Sequence, residues 1–124
     1  MNDGGKYSAY YRFMSELEES TSTKVYDLRA DDDNLDTPYI VCERSSYDTV
    51  LFADNAPQAV NLSVIVYLYT SMLGRKEHGE TPEAENKVTA FLTSKGINYT
   101  VNYDWLDDVK LRLAVFSFSF FSVV

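Results

Sequence analysis

Apolar residues recur at three- and four-residue spacing near the start of the chain, at Tyr10, Phe13, Met14 and Leu17, which predicts a helix over residues 7–19 with one buried stripe. Ser20-Thr21-Ser22-Thr23 ends it. Residues 24–28 alternate, with Val25 set apart from Tyr26 and Leu28, and read as a short strand before a polar loop over 29–37. Pro38 then opens the β-rich run 39–44, and a second run, 49–52, follows Ser45-Ser46-Tyr47-Asp48; the two read as a hairpin. The clearest strand is 60–69, where Val60, Leu62, Val64, Val66 and Leu68 share one face and Asn61, Ser63, Ile65, Tyr67 and Tyr69 the other.

A second helix over 81–95 carries start and stop signals of its own. Thr81 is a good N-cap, Pro82 suits the first helical position, and Glu83 and Glu85 lie near the positive end of the dipole. Gly96 fits the C′ position, and Val88, Phe91 and Leu92 form the stripe that lays this helix on a sheet. Residues 97–103 and 110–121 supply two more strands around a turn at 104–108. The last strand changes phase: Leu111, Leu113 and Val115 are odd, Phe116, Phe118 and Phe120 even. Either a bulge shifts the register, or 111–115 faces the helices while the phenylalanines turn toward a neighbouring subunit. The expectation is an α+β fold: a single mixed, mostly antiparallel sheet with the N-terminal helix and the second helix packed on it, in one domain spanning 1–124.

The 124 residues hold 11 Lys plus Arg against 19 Asp plus Glu, a formal net charge of -8, which argues against a broad phosphate-binding surface. The acidity is concentrated: residues 1–62 carry net -7, residues 63–124 net -1. The most apolar stretch, 111–124, is interrupted by Ser117, Ser119 and Ser122, so no membrane span is predicted. Residues 1–6 lack a basic start and apolar core, so the expectation is synthesis without export and a free Cys42 thiol; the sequons at Asn61 and Asn98 are then incidental.

Candidate chemistry is sparse. One His and one Cys cannot build a zinc site or a disulfide framework. His78, the single base for a nucleophile, sits in a polar stretch, and Cys42 shares a strand face with Ile40, as a buried thiol would. Asp32, Asn34, Asp36 and Glu43 fall at positions 1, 3, 5 and 12 of a calcium-loop register, but Thr37 stands where that loop needs glycine. Asp104, Asp107 and Asp108 fit turn chemistry better than a catalytic pair. Gly4-Gly5, Gly74 and Gly79 do not make a phosphate loop. No catalytic residue, cofactor or metal is predicted.

Aromatic surplus is what remains. Ten Tyr, seven Phe and one Trp exceed what one small core encloses easily, so self-association is expected, with Tyr67, Tyr69, Phe116, Phe118 and Phe120 as candidate interface residues.

From Pro38 onward the order of features resembles the tail terminator, or tail completion, proteins of siphophages and prophages. The resembling pieces are Pro38-Tyr39-Ile40-Val41, Phe52-Ala53-Asp54-Asn55 and Val64-Ile65-Val66-Tyr67-Leu68-Tyr69-Thr70. Glu85, Val88, Phe91 and Leu92 follow, then Gly96-Ile97-Asn98-Tyr99 and the alternating final strand. The match covers about two thirds of the chain and lies in order and spacing. It departs from the family pattern in a longer 71–80 connection and an unusually acidic 29–37 loop.

The resemblance implies a small subunit that closes into a homo-oligomeric ring, usually a hexamer, on the last ring of tail tube protein. Such a ring stops tube growth and offers its other face to the head–tail connector or stopper protein, while DNA passes through the hole without specific binding. It implies a structural virion protein of the neck, assembled in the host cytoplasm, with no membrane partner and no catalysis. The acidic half, with Asp31, Asp32, Asp33 and Asp36, is then expected at the lumen or at a face meeting a basic partner. The competing expectations are another neck or minor tail component, an acidic DNA-mimic inhibitor, and a small carboxylate enzyme.

Overall fold

A computed structural model of the chain describes residues 8–30, 36–53, 56–71 and 80–123. Helix α1 is Ser8–Thr21 and is followed by strands β1 (Val25–Asp27), β2 (Tyr39–Ala53) and β3 (Ala56–Ser71). Helix α2 (Glu80–Ser94) then leads to β4 (Tyr99–Leu106) and β5 (Leu111–Val123). The strands form one sheet in the order β1-β2-β3-β5-β4, in which β1 runs parallel to β2 and every other pair is antiparallel. The expected α+β architecture is the observed one.

Both helices lie on the same face of the sheet. Ala9, Tyr10, Phe13 and Leu17 of α1 and Ala84, Val88, Phe91 and Leu92 of α2 close over Ile40, Cys42, the even positions 60–68 of β3, and Ala114, Phe116 and Phe118 of β5. Phe13 is the centre of this layer, with ring centroids 5.5 Å from Phe91, 5.5 Å from Phe118 and 5.4 Å from Phe120. Each fully buried large apolar side chain contributes about 1.5–3 kcal/mol. Lys95 and Glu16, 2.6 Å apart, tie the two helices at their solvent side.

The segment 39–53 is one strand, not a hairpin. Ser45-Ser46-Tyr47-Asp48 offers no glycine or asparagine for a tight turn, and the ladder absorbs these polar residues as a register shift between Arg44 and Ser46, with further shifts beyond Thr49. The chain reverses later, and Ala53 pairs with Ala56.

Helix α2 begins at Glu80, one residue before the expected cap, which places Thr81 inside the first turn and not at the N-cap. Its C-terminus is the expected one. Gly96 adopts φ 71°, its N–H donates to the Thr93 carbonyl at 3.0 Å, and the Ile97 N–H donates to the Leu92 carbonyl at 3.0 Å, a Schellman arrangement. An added Cβ at Gly96 would meet nothing within 4 Å, so only the backbone resists substitution. Gly96→Ala is expected to cost about 1–2 kcal/mol in urea unfolding, with an unchanged m value.

The β4–β5 turn occupies 107–110 instead of 104–108, because Trp105 and Leu106 continue the ladder opposite Arg112 and Leu111. The last strand carries no bulge: it stays in register with β3 from Leu111 opposite Ser71 to Val123 opposite Ala59. Neither expected explanation of its phase change holds. Ala114, Phe116 and Phe118 all point at the helices, and the odd residues Leu111, Leu113 and Val115 point away. The chain is apolar on both faces of this end of the sheet.

Candidate functional site

Strand parity assembles the second apolar surface. Tyr67 and Tyr69 alternate with the buried Val66, Leu68 and Thr70 and therefore stand on the face opposite the helices. Register places Val115 and Leu113 beside them from β5, and Val41 and Tyr39 from β2; β1 adds Tyr26 opposite Val41. Tyr39 and Tyr69 stack with centroids 4.7 Å apart and planes 12° from parallel, and Tyr26 meets Tyr39 edge-on at 6.3 Å. Val41 is buried beneath these rings although it lies outside the main core cluster. Toward the other end the face is mixed: Ser63, Ser117, Ser119 and Asn61 alternate with Ile65 and the exposed Phe121, and the Ser63 and Ser119 hydroxyls are 2.8 Å apart.

A groove of about 290 Å³ opens in the tyrosine end, lined by Leu28, Arg29, Ala30, Tyr39, Val41, Glu43, Tyr67 and Tyr69. Tyr67 Oη donates to Glu43 Oε1 at 2.8 Å, and this bond to a carboxylate, more than burial, raises the Tyr67 pKa. Desolvation raises Tyr39 and Tyr69 as well. All three phenols start near 10 and move upward, so the surface is uncharged at neutral pH apart from its rim.

Over the 13 residues of β5 the sheet from β1 to β4 measures about 40 Å by about 20 Å, an upper bound on the order of 800 Å² because β1 spans 3 residues and β4 spans 8. One partner contributes about 800 Å² to a standard protein interface, with an apolar centre and a polar rim. Among the described residues no second layer covers this face. Compared with family models and with curated proteins, the sequence finds no match. The arrangement suits a macromolecular contact better than a small ligand, since the groove is small and shallow beside the pockets that enclose one.

Of the expected interface residues, Tyr67 and Tyr69 are on this face. Phe116 and Phe118 are not: they are 1% and 7% exposed and belong to the core, and Phe120 is half-buried against Phe13. Leu111, Leu113 and Val115 take their place. Asp36 is exposed, while Asp31, Asp32 and Asp33 fall outside the described residues, as do His78, Gly74 and Gly79.

The remaining candidates resolve as structure. Cys42 is fully buried and its thiol is pushed up to about 12, chiefly by desolvation and then by the Asp27 charge. Asp27 itself accepts a 2.8 Å hydrogen bond from Tyr10 Oη, with the Arg44 guanidinium 5.0 Å from the Tyr10 ring centre. Asp104 lies in β4 and accepts from the Trp105 N–H at 2.9 Å. Among the described residues no three His, Cys, Asp or Glu side chains stand close enough to hold a metal ion, and no helix is long and apolar enough to cross a membrane.

A second cluster was not anticipated. On the helix face of β4, Tyr103 and Trp105 are 50% and 46% exposed, and Val109 in the following turn is 60% exposed. The Arg112 guanidinium sits 4.2 Å from the Tyr103 ring centre and 5.4 Å from that of Trp105, and pairs with Glu85 of α2. Tyr103 Oη also donates to Glu85 Oε1, at 3.3 Å. The signal was available in sequence, since Tyr103 and Trp105 share strand parity, but only the register of Trp105 with Arg112 shows the cation stacked between helix and strand.

Proposed function

We propose that the protein is a tail terminator: a structural subunit that forms a ring, six-membered by the family resemblance, at the head-proximal end of a phage tail tube. The observation that carries the reading is the open sheet face, where four tyrosines and a row of Leu and Val side chains lack a covering layer among the described residues. Self-association through such a surface is sterically simple, and the resemblance from Pro38 onward supplies the biological setting. In this reading one side of the ring ends polymerisation of the tube protein and the other receives the connector or stopper. Asp36 and the acidic run 31–33 lie toward the lumen or toward a basic partner, and a wall of negative charge lets DNA pass without holding its phosphates. The protein does its work in the virion neck, after assembly in the host cytoplasm, and makes or breaks no covalent bond.

Deleting the gene from the phage tests this directly. Tails of irregular, excessive length that fail to join heads are expected in electron micrographs, with infectivity restored by the wild-type chain in trans. Tails of normal length joined to heads would end the proposal.

A further inference from the structure

A ring of identical subunits joined head to tail needs two unlike surfaces that fit each other, placed on opposite sides of the subunit. The chain presents such a pair. The large apolar side chains that remain well exposed among the described residues are Leu28, Tyr103, Trp105, Val109 and Phe121. Three of them project from the β4 edge of the sheet, and Leu28 stands at the tyrosine groove beside β1, the other edge. One surface protrudes and the other is concave. They lie on opposite faces as well as opposite edges, so neither covers the other within one chain.

We infer that the Trp105 corner of one copy seats in the tyrosine groove of the next copy. This deepens the ring reading and rests on it. Both halves are held in place before contact: Trp105 and Tyr103 by the Arg112–Glu85 pair, the groove by the Tyr39–Tyr69 stack and the Tyr67–Glu43 hydrogen bond. Little side-chain entropy is then lost on docking. Trp, Tyr and Arg are the residue types in which binding energy concentrates, and such positions tend to meet each other across an interface. The edges are also matched in part: Asp107 and Asp108 flank the Trp105 corner, and Arg29 is exposed on the groove rim, where Glu43 is already engaged by Tyr67.

Thiol cross-linking of the full chain tests the contact. Val109→Cys marks the corner and Ala30→Cys the groove; Cys42 stays silent because it is buried and its thiol is held far above neutral pH. With a short bis-maleimide, a mixture of the two single variants is expected to give covalent dimers roughly tenfold above either alone, and the chain carrying both is expected to give a ladder ending at the closed ring. Adding Trp105→Ala to the doubly marked chain should reduce the ladder more than about tenfold, and Trp105→Phe should retain most of it. Val109→Asp, on a doubly marked chain with the corner thiol moved to Asp108→Cys, should do the same as Trp105→Ala without touching the indole. Circular dichroism and the melting temperature verify that each variant is folded. Equal cross-linking in the unmixed variants, or a ladder indifferent to both Trp105→Ala and Val109→Asp, overturns the inference. A missing ladder beside a wild-type chain that still sediments as a ring overturns this contact and spares the ring; normal tail length in the deletion overturns the ring reading itself.

Discussion

Replacing both Tyr67 and Tyr69 by aspartate is expected to leave a folded monomer that no longer forms rings or finishes tails. Both side chains sit on the open face, so the main core between sheet and helices keeps every residue it has. The monomer does lose something. Tyr69 gives up its stack on Tyr39, a contact of about 0.5–1.5 kcal/mol, and an aspartate at 67 stands near Glu43 where the phenol had donated a hydrogen bond. The fold should therefore weaken by about 1–3 kcal/mol, within the 5–15 kcal/mol stability of an ordinary domain. The interface suffers more, because a docked partner would bury two new carboxylates beside Glu43 with Arg29 the single cation in the groove lining, at several kcal/mol for each charge left uncompensated. Association should fall by at least about a thousandfold, read by sedimentation velocity, and infectivity should fall with it. Rings of wild-type mass from the double variant, with normal tails, would remove the open face from the assembly.

The way this surface was hidden explains which parts of the structure sequence alone could reach. The helix stripes, the buried face of β3 and the glycine cap of α2 are local patterns, written in residues a few positions apart, and all are found where the spacing puts them. The errors lie where a pattern has two physical causes. Ser45 to Asp48 reads as a turn because polar residues interrupt an apolar run, yet a long edge-side strand absorbs the same interruption as a bulge. In β5 the apolar residues change parity at Val115 because two different surfaces claim them: the helices take Ala114, Phe116 and Phe118, and the open face takes Leu111, Leu113 and Val115. Period alone assigns one apolar face per strand, and only the antiparallel register with Tyr67 and Tyr69 shows that this strand has two. The Arg112 cluster was out of reach for a related reason, since it joins α2, β4 and β5 across the tertiary structure.

The corrected assignment of Phe116 makes it the position where core and interface roles separate most sharply. It is 1% exposed, stands 5.7 Å from the Tyr99 ring centre, and pairs with Val66 in the middle of the sheet. Truncation to alanine leaves a void between sheet and helices, and Phe-to-Ala changes in such sites cost about 3–5 kcal/mol. For a chain of this length that lowers the melting temperature by roughly 10–20 °C, enough to unfold a marginal domain at growth temperature. Phe121, 71% exposed on the same strand, supplies the contrast: Phe121→Ala should change stability by less than about 0.5 kcal/mol. If Phe116 were instead a subunit contact, Phe116→Ala would lose its ring and melt like wild type at dilutions where wild type too is monomeric. Calorimetry of the two variants against wild type decides, because a core residue shifts the unfolding transition at every protein concentration, whereas a residue of the ring contact shifts it only where rings are present.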